Sequence, residues 1–304
     1  MLLDGILAPI CTPFAADGEV HHQALRENIG RYNRTALMGY VVGGSTGEAA
    51  LLEPEEKLRL FETVRESAAE DKVLIAGTAA ESVRETLRII ASAASMEYRA
   101  ALVITPHYYR AQMLRPESQI AFFRAVADAS PLPILIYDFP QMTGIDLPVD
   151  VVRELTSHAN IIGIKESSAD VEKVATLTKC LPASFQVLVG SSAKFHECLC
   201  FGALGGILAV ANAIPEAALV IYQLYRSGDV EGSREAQKSI VEAAGVAPRY
   251  GIQGLKYAMD LKGFYGGPAR LPLLPLDGQQ KSEIEGLFAK SGHFRGAENL
   301  LPPK

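Results

Sequence analysis

Residues 160–173 read NIIGIKESSADVEK, and the first half, Ile161, Ile162, Gly163 and Ile164, is a short apolar run of the kind that forms a buried strand. A lysine, Lys165, closes it. Working outward, seven more runs of this type recur: GILAPICTPF (5–14), MGYVVGGSTGE (38–48), KVLIAGTA (72–79), RAALVITPHYY (99–109), PILIYDFP (133–140), FQVLVGSS (185–192) and GGILAVANA (205–213). Segments with helical spacing alternate with them, among them HHQALRENIGRY, EPEEKLRLFETVRESAAE, SVRETLRIIASAAS, SQIAFFRAVADAS and LPVDVVRELTSH. In the second of these, Pro54 near the first turn and the acids around it mark a helix start. Eight strands alternating with helices over about 215 residues predict a (β/α)8 barrel rather than an open doubly wound sheet. No GxGxxG turn opening a helix argues for the open sheet.

After about Pro215 the strand pattern stops, and EAALVIYQLYRSGDVEGSREAQKSIVEAA, GIQGLKYAMDLKGF and QQKSEIEGLFAKSG read as helical. The expected organisation is a catalytic barrel over residues 1–224 and a small C-terminal helical domain over 225–304. No low-complexity linker separates them, so a shared interface is expected.

A chain of 304 residues with 48% hydrophobic and 21% charged residues has the balance of a globular protein. The formal net charge of −6, with Lys and Arg scattered, excludes the basic stripe that nucleic acid needs. The opening MLLDGILAPICTPF lacks the basic and long apolar regions of a signal peptide, so a cytoplasmic protein with no membrane partner is expected. Cys11, Cys180, Cys198 and Cys200 form no CxxC pair and read as reduced core thiols. The histidines show no metal spacing, and no metal is expected.

In a barrel of this kind the active site lies where strands run into the following loops. Thr12, Ser45, Thr46, Thr78, Tyr108, Tyr137, Lys165 and Ser191 all fall at such ends. Desolvation disfavours an ammonium ion, and a neutral amine attacks a ketone to form a Schiff base, so Lys165 is the candidate nucleophile. The competing reading pairs it with Glu166 or lays its stem along apolar surface. Tyr137 is a candidate proton relay, or a packing tyrosine with a satisfied hydroxyl. GGSTGE offers two hydroxyls and loosened backbone N–H groups as a cradle for a small carboxylate, or is an ordinary turn with a capping residue. Of Tyr108 and Tyr109, adjacent in sequence, regular geometry sends at most one into a pocket.

Taken together, GGSTGE, TPHYY, YDFP, GIKES and GGILAVAN, in this order and on successive strands, resemble the dihydrodipicolinate synthase/N-acetylneuraminate lyase family of class I aldolases. The likeness extends through GLKYAMDLKGFYGGPARLPLLPL and so covers nearly the whole chain. It implies a (β/α)8 barrel, a homotetramer, and a pyruvate unit held as a Schiff base without cofactor or metal. By position, Lys165 matches the Schiff-base lysine and Tyr137 the proton-relaying tyrosine. Ser45 and Thr46 match the pair that binds the pyruvyl carboxylate and helps the relay, with Thr46 counted among the catalytic residues. Tyr108 corresponds to a tyrosine that reaches into the neighbouring subunit's site in dihydrodipicolinate synthases, and Gly190 and Leu208 to pocket-lining positions.

Dihydrodipicolinate synthases carry arginine two residues after the YNVP-like tetrapeptide, where this chain has Met142. A methionine cannot make the bidentate contact an arginine makes to a carboxylate. YYRAQM, TGIDLPVDVV and GIQGLKYAMDLKGFYGGPARLPL resemble instead the 4-hydroxy-2-oxoglutarate aldolase branch. The resemblance thus implies cleavage of 4-hydroxy-2-oxoglutarate to pyruvate and glyoxylate. The alternatives are condensation of pyruvate with aspartate semialdehyde, action on 2-keto-3-deoxy sugar acids, or a non-catalytic 2-oxo-acid-binding regulator. For the aldehyde half, Asp138, Gln141, Ser167, Ser168 and Lys194 lie in loops where either solvent or pocket is open to them.

Overall fold

The computed structural model describes residues 1–290. The last residues of the expected C-terminal domain, 291–304, lie outside the described residues. Eight parallel strands close on themselves in sequence order: β1 (Ile6–Pro9), β2 (Gly39–Val42), β3 (Val73–Gly77), β4 (Ala100–Ile104), β5 (Ile134–Asp138), β6 (Ile161–Glu166), β7 (Gln186–Val189) and β8 (Gly205–Ile207). The expected (β/α)8 barrel is the observed one. Both faces of every strand are covered, which explains why the runs are apolar almost throughout rather than alternating. Inward residues such as Leu7, Val41, Ile75, Leu102, Leu135 and Leu188 fill the barrel. Their neighbours Ala8, Tyr40, Ala76, Val103, Ile136 and Val187 face the helices.

The helices are α1 (His22–Tyr32), α2 (Pro54–Ser67), α3 (Val83–Ser95), α4 (Arg110–Met113), α5 (Pro116–Ala129), α6 (Pro140–Thr143), α7 (Val149–Leu155), α8 (Val171–Cys180), α9 (Phe195–Cys200), α10 (Pro215–Arg226), α11 (Val230–Ala244), α12 (Val246–Leu261) and α13 (Gly278–Lys290). Local chemistry sets several starts. Glu53 and Glu56 form a capping box at α2, and the Asp170 carboxylate accepts from Glu172 N and Lys173 N at α8. The segment 216–244, read as one helical stretch, is two helices, turned at Gly228 with φ 88°.

The pairing of β5 with β6 decides the site. Ile134 pairs with Ile161 but Leu135 pairs with Gly163, so Ile162 is an extra residue in β6. That bulge shifts the register by one and brings Lys165 opposite Tyr137; an unbroken ladder would have brought Ile164 there. Gly163 is needed beside it, because a Cβ there would lie 2.3 Å from Gln186 O on β7.

The thiols depart from expectation. Cys11 and Cys198 are buried, and burial pushes both up to about 12, but Cys180 and Cys200 are exposed. Both lie near the ends of helices, α8 and α9, where the solvent face begins. No helix among the described residues is long and apolar enough to cross a membrane.

Candidate active site

At the C-terminal mouth of the barrel a cavity of about 440 Å³ is lined by Ser45, Thr46, Tyr137, Lys165, Gly190 and Ile207 from the strand ends. Lys165 is 5% exposed, and its Nζ lies over the Tyr137 ring, 3.9 Å from the centroid. The Tyr137 ring is held in turn by stacking on Phe139 at 5.7 Å. Glu166 faces the other way, its Oε1 accepting from Ser168 N at 2.8 Å, so it does not pair with the Lys165 amine. Gly190 permits the close packing: a Cβ there would sit 1.8 Å from Ser167 Oγ and 3.2 Å from Lys165 Cε.

Ser45 and Thr46 open a short 3₁₀ turn, Ser45–Gly47, directly after β2. What fixes that turn is a network the sequence did not announce. Glu48 takes a left-handed conformation, φ 55°, between this turn and a second one, Ala49–Leu51. Its Oε1 pairs with Lys256 Nζ of α12 at 2.5 Å, both side chains being at most 1% exposed, and its Oε2 accepts from Arg270 N at 2.9 Å. The Arg270 guanidinium grips Glu56 through both terminal nitrogens and also donates to Leu51 O and Gly18 O. Thr12 Oγ1 adds a donation to Gly47 O at 2.6 Å. The turn after β2 is thereby tied to α12 through Lys256 and to the segment beyond it through Arg270.

Outside the barrel wall, Lys173 donates to Asp138 at 2.6 Å and to Asp146 at 2.5 Å. Burial pushes the Asp138 carboxyl up to about 7 against the pull of Lys173, with Asp146 and Glu166 adding to the rise. Asp138 therefore faces this charged cluster rather than the cavity. Lys194 is half exposed and pairs with Glu197, and the Ser168 hydroxyl accepts from Asp170 N. Neither lines the cavity. Thr78 donates to Leu102 O within the barrel wall. Gln141, Ser167 and Ser191 do line it, and the Ser167 hydroxyl is buried with no partner among the described residues.

Two expected positions lie elsewhere. Leu208 packs in the layer between barrel and helices, and the aliphatic wall comes from Ile207, one residue earlier, because consecutive residues at a strand end face opposite sides. Tyr108 is 77% exposed and Tyr109 72%, ring against ring at 5.2 Å and away from the cavity. Another part of the wall, Ala244, Ala247, Pro248, Gly251 and Ile252, comes from the end of α11 and from α12, where Gly251 breaks the helix with φ 72°. No sequence signal pointed to these, since small and apolar residues carry no chemistry of their own.

The family model described as "Dihydrodipicolinate synthetase family" matches residues 2–290. The chain belongs to this family. A 4-hydroxy-tetrahydrodipicolinate synthase of Methanothrix thermoacetophila is 30% identical over 96% of this chain and 98% of the relative. A probable mitochondrial 4-hydroxy-2-oxoglutarate aldolase of Emericella nidulans is 32% identical over 95% of each. Among solved structures, the dihydrodipicolinate synthase of Acinetobacter baumannii complexed with pyruvate superposes with TM-score 0.91 at 27% identity, over 97% of this chain and 100% of that one. Membership of the dihydrodipicolinate synthetase family makes this chain a pyruvate-dependent enzyme of the class I aldolase and lyase type.

Proposed function

We propose that the protein cleaves 4-hydroxy-2-oxoglutarate to pyruvate and glyoxylate through a Schiff base on Lys165. The observation that carries the reading is the buried Lys165 amine poised over Tyr137 at 3.9 Å, in one cavity with the Ser45–Thr46 turn. The amine adds to the 2-oxo carbon, Tyr137 gives its phenolic proton to the departing hydroxyl, and water leaves, giving a protonated imine and a phenolate. Tyr137 takes the proton of the C4 hydroxyl, the C3–C4 bond breaks, and its electron pair passes into the imine as an enamine. Glyoxylate departs, the enamine is protonated at C3, and water releases pyruvate from the lysine. Ser45, Thr46 and the backbone N–H groups of their turn receive the pyruvyl carboxylate, with Gly190 and Ile207 closing the opposite sides.

The glyoxylate half is assigned to the neutral donors of Ser167 and Ser191. Met142 stands where a synthase's arginine would meet a second substrate, and the Emericella relative supports the same choice. Borohydride added with pyruvate is expected to inactivate the enzyme and leave a reduced pyruvyl adduct on Lys165, found by peptide mapping. Pyruvate release from 4-hydroxy-2-oxoglutarate should exceed the rate of condensation with aspartate semialdehyde. Absence of the adduct overturns the mechanism, and the reverse substrate order overturns the substrate. We also propose a homotetramer, on the grounds of the exposed Tyr108 and Tyr109 rings and of Leu271 and Leu274, which are similarly open.

A further inference from the structure

Past the reacting lysine the cavity changes character. Phe139, Met142, Ala247, Pro248 and Ile252 supply an apolar wall, and among the described residues lining the cavity Lys165 is the only one with a charged side chain. The amide of Gln141 is already engaged, its Nε2 donating to Ser168 O at 2.5 Å. A carboxylate turned away from the Ser167 and Ser191 hydroxyls and against this wall would be desolvated without a cation or donor, which is strongly unfavourable. An alkyl chain in the same place leaves water for apolar contact. Pro248 and Ile252 line the same cavity from either side of Gly251, where α12 departs from helical geometry with φ 72°.

We propose that this enzyme also cleaves 4-hydroxy-2-oxo acids whose C4 carries a short uncharged alkyl chain, the chain lying against Phe139, Met142, Pro248 and Ile252. The inference rests on the Schiff-base reading and extends its substrate class from an acidic aldehyde to neutral aliphatic ones. The chemistry balances as for the acidic substrate. The C3–C4 bond breaks, its electrons enter the lysine imine, the C4 hydroxyl proton passes to Tyr137, and a straight-chain aldehyde leaves in place of glyoxylate.

The test follows pyruvate release by mass spectrometry from 4-hydroxy-2-oxopentanoate, -hexanoate and -heptanoate, with 4-hydroxy-2-oxoglutarate as reference and the borohydride adduct measured in parallel. Each added methylene is expected to raise kcat/KM about fourfold. Ile252→Asp is expected to lower the ratio of heptanoate to oxoglutarate kcat/KM at least tenfold, and Ile252→Ala, a milder change should the first not fold, to lower it by several-fold. A kcat/KM that stays flat or falls with chain length overturns the proposal, as does an unchanged ratio in both variants. Failure of the pyruvyl adduct to form in the wild-type enzyme overturns the Schiff-base reading beneath it. Adduct formation without chain-length dependence overturns only the alkyl subsite.

Discussion

Gly190 sets how near the loop after β7 comes to the lysine of β6. Its missing Cβ would meet Ser167 Oγ at 1.8 Å and Lys165 Cε at 3.2 Å, so Gly190→Ala must displace one or both. Overpacking of this order costs about 1–3 kcal/mol. Because the displaced atoms include those carrying the amine, activity should fall further than stability. Gly190→Ala is expected to lower kcat/KM for 4-hydroxy-2-oxoglutarate by at least tenfold, and adding Ser167→Gly to restore part of the thermal stability. Equal melting temperatures of the single and double variants would show that Ser167 is not the obstacle. At this scale the sequence was partly legible. Lys165, Tyr137, Ser45 and Thr46 converge in one cavity because each is a polar residue ending an apolar run, a signal that survives an uncertain boundary. Leu208 shows where the signal fails: at a strand end a one-residue error changes the face, and Ile207 and Leu208 are both aliphatic, so composition could not separate them.

Between elements, the β6 bulge and the Glu48–Lys256 pair do the positioning, and neither was legible. A bulge leaves no mark in the hydrophobic pattern of IIGI, and Lys256 is separated from Glu48 by most of the chain. Removing one partner of a buried pair strands the other charge, at a cost of about 3–5 kcal/mol. Lys256→Met is expected to lose stability on that scale in chemical denaturation and to raise KM for the pyruvyl substrate, since Glu48 follows the Ser45–Thr46 turn. Glu48→Gln in the same chain removes the stranded charge, and a double-mutant cycle should return a coupling of about 0.5–3 kcal/mol. Additive losses would mean that the two side chains do not act as a pair. Behind β5, Asp138 gives a pH signature. An aspartate in the unfolded chain titrates at about 4, and here burial lifts the folded group up to about 7, with Lys173, Asp146 and Glu166 around it. Between those values the folded state binds more protons, so this group lowers stability as pH rises from about 4 to 7 and leaves it level above. Asp138→Asn is expected to flatten the melting-temperature profile across that window, with a residual slope from Glu166, which burial also raises. An unchanged profile would place the titration elsewhere.

For the whole molecule, the barrel was legible because repetition multiplies a weak local signal by eight, whereas the wall that Ala247, Pro248, Gly251 and Ile252 of α12 add at its mouth was not, because these residues carry no chemistry of their own. Assembly is a further property of the whole, and it bears on Tyr108. A ring 77% exposed at the end of a βα loop cannot act in its own cavity as the chain stands, but it can enter a neighbour's. If it does, a mixed assembly of two inactive chains recovers activity. Lys165→Ala chains still offer Tyr108, and Tyr108→Phe chains still offer Lys165, so each hybrid pair contains a complete site on the Tyr108→Phe chain. Sedimentation of the wild type is expected to give four chains, and Tyr108→Asp with Tyr109→Asp to give smaller species, because a charge buried at an apolar contact has no partner. Unmixed variants are expected to show little activity, and unfolding and refolding them together to restore a fraction set by the statistics of mixing. A tetramer in which mixing restores nothing would confine Tyr108 to holding the interface, and a wild-type monomer would remove the shared site altogether.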